Sequence, residues 1–119
     1  MSEGHLFLFC WNEAEAEEAA KQLRASGWSV DLEWEDGARG SAAVKANPPD
    51  AVVFFLNRSP SHSRASAEYL AETKATRDIP LIFVGGDADK VVKTKAKIPT
   101  GIFVSLDGFA EILQNWFKR

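Results

Sequence analysis

The residues able to do chemistry in this chain are few, and each sits in a different local pattern. Cys10 is the single cysteine, and it closes the apolar run HLFLFC, a strand-end position from which a thiolate could attack a phosphate ester. The residues that follow, WNEAEA, give no glycine-rich cradle, put Ala16 where such an enzyme needs arginine, and add carboxylates that repel phosphate. A structural thiol, packed like a small hydrophobe, is the plainer reading of Cys10. A second cluster, NRSPSHSR, gathers Asn57, Arg58, Ser59, His62 and Arg64; it could hold a phosphate or an acidic peptide, or it could be a solvated turn. Asn57-Arg58-Ser59 also spells a glycosylation acceptor, but it is followed by Pro60 and is meaningless without secretion. In VGGDADK the amides of Gly85 and Gly86 precede a helical pattern, without the remaining residues of a phosphate or dinucleotide loop. A tight turn with Asp87 as helix cap is expected there. Asp87 and Asp89 miss the calcium-loop spacing, because Val91 takes the next ligand position. His5 and His62 stand apart, so no metal site and no cofactor are expected.

These residues fall at the ends of five short apolar runs. HLFLFCW, WSVDLEW, DAVVFFL, IPLIFVGG and TGIFVS read as strands, the second alternating Trp28, Val30 and Leu32 with polar residues. Helical segments separate them. Asn12 is placed to cap the first, with Glu15 three residues on in a capping box and Ala16, Ala19, Ala20 and Leu23 on one face. Asp36-Gly37 opens a weaker second helix through Ala46, the third runs around ASAEYLAETKA, DADKVVKTKAK is a short basic helix or loop, and LDGFAEILQNWFKR is a closing amphipathic helix. Apolar strands alternating with helices imply a parallel sheet covered on both faces through right-handed crossovers. The expected architecture is a three-layer α/β sandwich with a doubly wound five-stranded parallel sheet in the order 2-1-3-4-5.

With 119 residues, 45% of them apolar, the chain fits one compact domain over 1–119. Its net charge of −3 argues against general nucleic-acid binding. The lone cysteine excludes an intramolecular disulfide, no run reaches membrane-spanning length, and the first residues do not read as a signal peptide, so a cytoplasmic location is expected.

Two stretches carry a family resemblance. DGARGSAAVKANPPDAVVFF resembles the second helix and third strand of bacterial response-regulator receiver (CheY-like) domains, and RDIPLIFVGG resembles their fourth-strand segment. The resemblance extends over essentially the whole chain and implies the flavodoxin-like receiver fold. Carried over residue by residue, it implies that the active site has been lost. The phosphoacceptor aspartate falls on Phe55 counting from Pro49-Asp50, or on Leu56 counting back from Pro60; the acidic magnesium pair falls near Cys10, Trp11 and Asn12, with Glu13 the nearest carboxylate; the switch hydroxyl falls on Gly85 and the lysine on Ser105. Nucleophile, metal ligands, hydroxyl and lysine are missing together, and phosphoryl transfer depends on all of them. The resemblance therefore implies a pseudo-receiver that acts without phosphorylation.

Such a module is expected to be non-enzymatic and to work through protein–protein contact with an unidentified signalling protein, or with a second copy as a homodimer. The expected face carries Lys90, Lys93, Lys95 and Lys97, Phe103 on the fifth strand and Trp116 on the last helix, where aromatic anchors and complementary charge would serve binding. The alternative is a flavodoxin-like small-ligand or anion binder, or an enzyme, with its site at the C-terminal ends of the strands and Asn57, Arg58 and Ser59 on the binding rim.

Overall fold

The computed structural model describes residues 4–109 and 111. Strands β1 (Gly4–Phe9), β2 (Trp28–Glu33), β3 (Ala51–Phe55), β4 (Leu81–Val84) and β5 (Ile102–Val104) alternate with helices α1 (Glu13–Ala25), α2 (Gly37–Ala46), α3 (Pro60–Glu72) and α4 (Ala88–Lys97). All strand pairs are parallel, as the alternation of apolar runs and helices implied, and the order is β2-β1-β3-β4-β5, the doubly wound order expected. The closing helix expected from Leu106, with Trp116 on it, lies largely outside the described residues.

Because side chains alternate across a strand, the apolar runs feed two cores. On one face Leu6, Leu8, Val53, Phe55, Ile82 and Val84 meet Ala16, Ala20 and Leu23 of α1, so the alanine stripe of EAEAEEAAKQLRA lies against the sheet. On the other, Phe7, Phe9, Val52, Phe54, Leu56 and Phe83 meet Val44 of α2, Ala67 and Leu70 of α3, and Ile98 after α4. Four phenyl rings line up across this second face because Phe9, Phe54, Phe83 and Phe103 are register partners on β1, β3, β4 and β5. Their centroids are 4.8, 5.3 and 5.0 Å apart with interplanar angles of 10, 17 and 16°. Burying one such ring contributes about 1.5–3 kcal/mol.

Gly40 and Ser41, which weaken the helical pattern of α2, are both buried. A Cβ on Gly40 would come within 2.5 Å of Phe9 Cε1, so the helix forms despite its glycine because only glycine lets it lie on that ring. Helix α3 begins at Pro60 and not near Ala65. Proline at its first position needs no amide partner there, and Ser59 precedes it in the left-handed region at φ 42°.

Candidate functional site

The ends of β1, β3, β4 and β5 converge on one rim, where a nucleophile or ligand would be held. Cys10 follows β1 directly and its amide donates to Glu33 O at 3.2 Å, extending the ladder with β2. Its side chain is buried. Burial, then the nearby Glu15 carboxylate, push the thiol above its ordinary value, so it stays protonated near neutrality and is a poor nucleophile. Asn12 caps α1 by accepting from the Glu15 amide at 3.0 Å. Only that half of the expected capping box forms. The Glu15 carboxylate turns instead to Arg58, accepting from Nε at 2.8 Å and lying 2.7 Å from Nη2. Arg58 holds Glu15 below its ordinary carboxylate value. Glu15 is thus the carboxylate beside Cys10, and it is already paired with Arg58.

Trp11 spans from β1 to α3. Its Nε1 donates to Ser63 Oγ at 2.8 Å, and its ring meets His62 edge-on at 4.1 Å and Phe9 at 5.7 Å. The Ser63 hydroxyl in turn reaches Phe55 O at 3.4 Å. Ser63, His62 and Arg64 all lie on the first turns of α3, so the cluster NRSPSHSR is only partly a rim loop.

Phe55 and Leu56 point to opposite faces. Phe55 joins the α1 core and meets Phe109 edge-on at 6.0 Å. Leu56 is fully buried in the other core, its amide donating to Val84 O at 2.9 Å. Beyond β4, Gly85 and Gly86 have φ of 72 and 84°, backbone that side-chain-bearing residues rarely adopt. A Cβ on Gly85 would meet nothing within 4 Å, while one on Gly86 would lie 2.8 Å from Leu56 Cβ. The backbone, and not crowding, disfavours a hydroxyl-bearing residue at Gly85. Ser105 is exposed, and its Oγ accepts from the Gly108 amide at 3.1 Å, so it closes a turn after β5. Asp87 caps α4 through the Lys90 amide at 3.1 Å.

One charged group beside this rim is not among the residues singled out in the sequence. Glu33, at the end of β2, is 5% exposed and accepts from the Glu35 and Asp36 amides and from Arg39 Nε and Nη2 at 2.7–3.0 Å. Arg39 above all, then the two amides, lower its carboxyl to about 2. The pair ties the β2–α2 turn together. A glutamate closing a strand, followed by an arginine on a helix opened by Asp36-Gly37, is the pattern that could have pointed to it.

On the opposite side, α4 and β5 share a surface. Lys95 Nζ lies 5.2 Å from the centroid of the half-buried Phe103 ring, Lys90 pairs with Asp87 at 3.5 Å, and Val92, Lys93 and Lys97 are exposed on α4.

Among the described residues no group of three or more His, Cys, Asp or Glu side chains could hold a metal, and no helix is long and apolar enough to cross a membrane. No protein-family model matches the sequence, and no curated protein sequence matches it either. Solved structures do match in shape. A chain described as a response regulator from Chloroflexus aurantiacus superposes with a TM-score of 0.80 at 15% identity, covering 98% of each chain. Chemotaxis protein CheY4 of Vibrio cholerae gives 0.77 at 12% identity, covering 97% of this chain and 98% of its own. The receiver domain of sensor histidine kinase PA1611 from Pseudomonas aeruginosa, which has magnesium coordinated in its active-site cleft, gives 0.74 at 16% identity over 98% of each chain. The fold is the CheY-like receiver fold. A buried thiol and an indole stand directly after β1, and the nearby Glu15 is held by Arg58.

Proposed function

We propose that this chain is a receiver-fold signalling module that binds other proteins and is not phosphorylated. The observation that carries the reading is Leu56. It stands at the acceptor position counted from Pro60, wholly buried, with no oxygen to offer and with Gly86 packed against its Cβ. The neighbouring Phe55 is equally inert and faces the other core. Trp11, seated on Ser63 and His62, fills the side of the rim where metal ligands would project. Catalysis by phosphoryl transfer rests on placing charge and nucleophile together, and apolar side chains at both candidate acceptor positions support its absence here.

A non-enzymatic module of this kind needs a binding face, and α4 with β5 supports one. Lys93, Lys95 and Lys97 present positive charge around Val92 and the Phe103 ring, suited to an acidic signalling partner or the acidic α1 of a second copy. The decisive experiment is incubation with acetyl phosphate and magnesium followed by intact-mass measurement, with CheY-type receiver protein as positive control. The expected result is no adduct. A mapped aspartyl phosphate on any residue of the strand-end rim overturns the reading.

The rival reading, a small-ligand binder at the strand ends, draws on a cleft of about 750 Å³ whose described lining includes Cys10, Phe55, Asn57 and Leu106. Against anion binding there stands the closure of Arg58 on Glu15. Substituting Asn57 and Arg58 separates the two: loss of partner binding with those variants, and not with lysine variants on α4, places the interface at the rim.

A further inference from the structure

We propose that the groove between α2 and α3 is a binding site for a small organic monocarboxylate. It is a cleft of about 490 Å³ that adjoins the strand-end rim at Asp36 and His62 and runs from there between the two helices toward Lys45 and Tyr69. The sequence builds it by placing small residues on both facing helix surfaces. Gly37, Ala38 and Ala42 of α2 oppose Ala65 and Ser66 of α3, so the helices touch without filling the space between them.

Small walls alone would signify nothing, but two hydroxyls in the groove lack partners. Ser41 is 4% exposed and Ser66 7%, and neither side chain has a hydrogen-bond partner among the described residues. Ser66 Oγ lies 2.5 Å from where a Cβ on Gly37 would sit, so it is aimed across the cleft at α2. Neither oxygen is wholly cut off from solvent, so each is open to the groove, where a bound acceptor can take the place of water.

The open end of the groove supplies charge. Lys45 Nζ donates to Tyr69 Oη at 2.8 Å and lies 5.4 Å from the centre of its ring. As acceptor of that bond, the phenol keeps its own proton to donate outward, and the ammonium keeps two more. Lys45 also holds the Tyr69 phenol below its ordinary value, which makes it a stronger donor. An ammonium, a phenol and two hydroxyls within one stretch of groove are a set of donors, suited to carboxylate oxygens. Ala42 and Ala65 between them suit a flat apolar body.

The other end sets the charge limit. Asp36 caps α2, its Oδ1 accepting from the Ala38 and Arg39 amides, and its carboxylate faces the same cleft. That charge disfavours a dianion such as a phosphate monoester and leaves a single carboxylate at the Lys45 end as the fitting ligand.

Benzoate is a suitable probe, with benzyl alcohol and phenyl phosphate as controls, read by amide shifts of the full-length isotopically labelled protein. Benzoate should give saturable shifts confined to α2 and α3, and both controls should bind at least about threefold more weakly, because each lacks a favourable charge match. Lys45→Gln and Ser66→Ala should each weaken benzoate by about threefold to tenfold, the range for losing one such donor. Ala65→Leu, at an exposed position, should fill the groove and abolish the shifts while the rest of the spectrum is unchanged. Non-saturating shifts, shifts centred on another surface, or an affinity indifferent to both Lys45→Gln and Ser66→Ala would overturn the proposal.

Discussion

Replacing Glu33 with glutamine should weaken the fold at neutral pH and cost almost nothing near pH 2. Folding takes this carboxyl from an ordinary 4.5 to about 2, chiefly through Arg39 and then through the Asp36 and Glu35 amides. A difference of that size corresponds to about 3 kcal/mol if the site were shielded from water. Glu33 is shielded, its side chain being 7% exposed, but the Arg39 side chain is 59% exposed and its charge is screened. About 1–2 kcal/mol is the more realistic contribution. The sign follows from the direction of the shift. A carboxylate held below its unfolded value stabilises the protein in full above about pH 5, and this stabilisation fades as pH falls through 4.5 toward 2. Urea unfolding of the native protein and Glu33→Gln at pH 7, 5, 3.5 and 2.5 reads this out directly. The gap in stability should be constant from pH 7 to 5 and shrink at the two lower values. A gap of equal size at every pH would mean that shape, and not charge, makes Glu33 useful, and the electrostatic account of the β2–α2 turn would fail.

Gly85→Ser should lower stability by about 1–2 kcal/mol, the cost of a side chain at φ 72° despite the open space around it, and an unchanged melting temperature would contradict the strain argument. Cys10→Ser should cost about 1–2 kcal/mol by burying a hydroxyl where a thiol packs, and the native thiol should react slowly with a disulfide reagent; rapid labelling of the folded protein would revive a reactive Cys10. Lys93→Glu with Lys95→Glu should weaken capture of an acidic partner more at low salt than at high salt, since exposed charges are screened, and normal binding by the double variant would remove α4 from the interface.

The starts of α1, α2 and α4 could be read directly from local patterns. Asn12, Asp36 and Asp87 each precede a helix and each accepts a backbone amide there, because capping is a contact between residues two or three apart. What the sequence left open depends on faces and on distant neighbours. Counting from Asp50 or from Pro60 puts the acceptor on Phe55 or Leu56, and only the sheet shows that these two residues belong to opposite cores. Glu15 satisfies the spacing of a capping box, yet Arg58, far along the chain, holds its carboxylate. The polar look of NRSPSHSR hides a helix start, because Ser63 faces inward to take the Trp11 N–H, a bond between residues that no local pattern connects. Gly40 lowers the helical signal of α2 for a reason that lies on β1, in the ring of Phe9.

The row of rings from Phe9 to Phe103 also bears on what this protein avoids. A strand that slipped by one residue would turn its phenyl to the opposite face and break one stack at either end of the row or two within it, so the row fixes the alignment of four strands at once. It ends on β5, which is three residues long and has no further strand beside it among those described. A longer, flatter border would invite another chain to pair along it and begin aggregation. Here the border is brief, and Lys95 holds its charge above the last ring. A partner arriving at this side of the molecule meets lysines and the face of a phenyl ring, with little free backbone to extend the sheet.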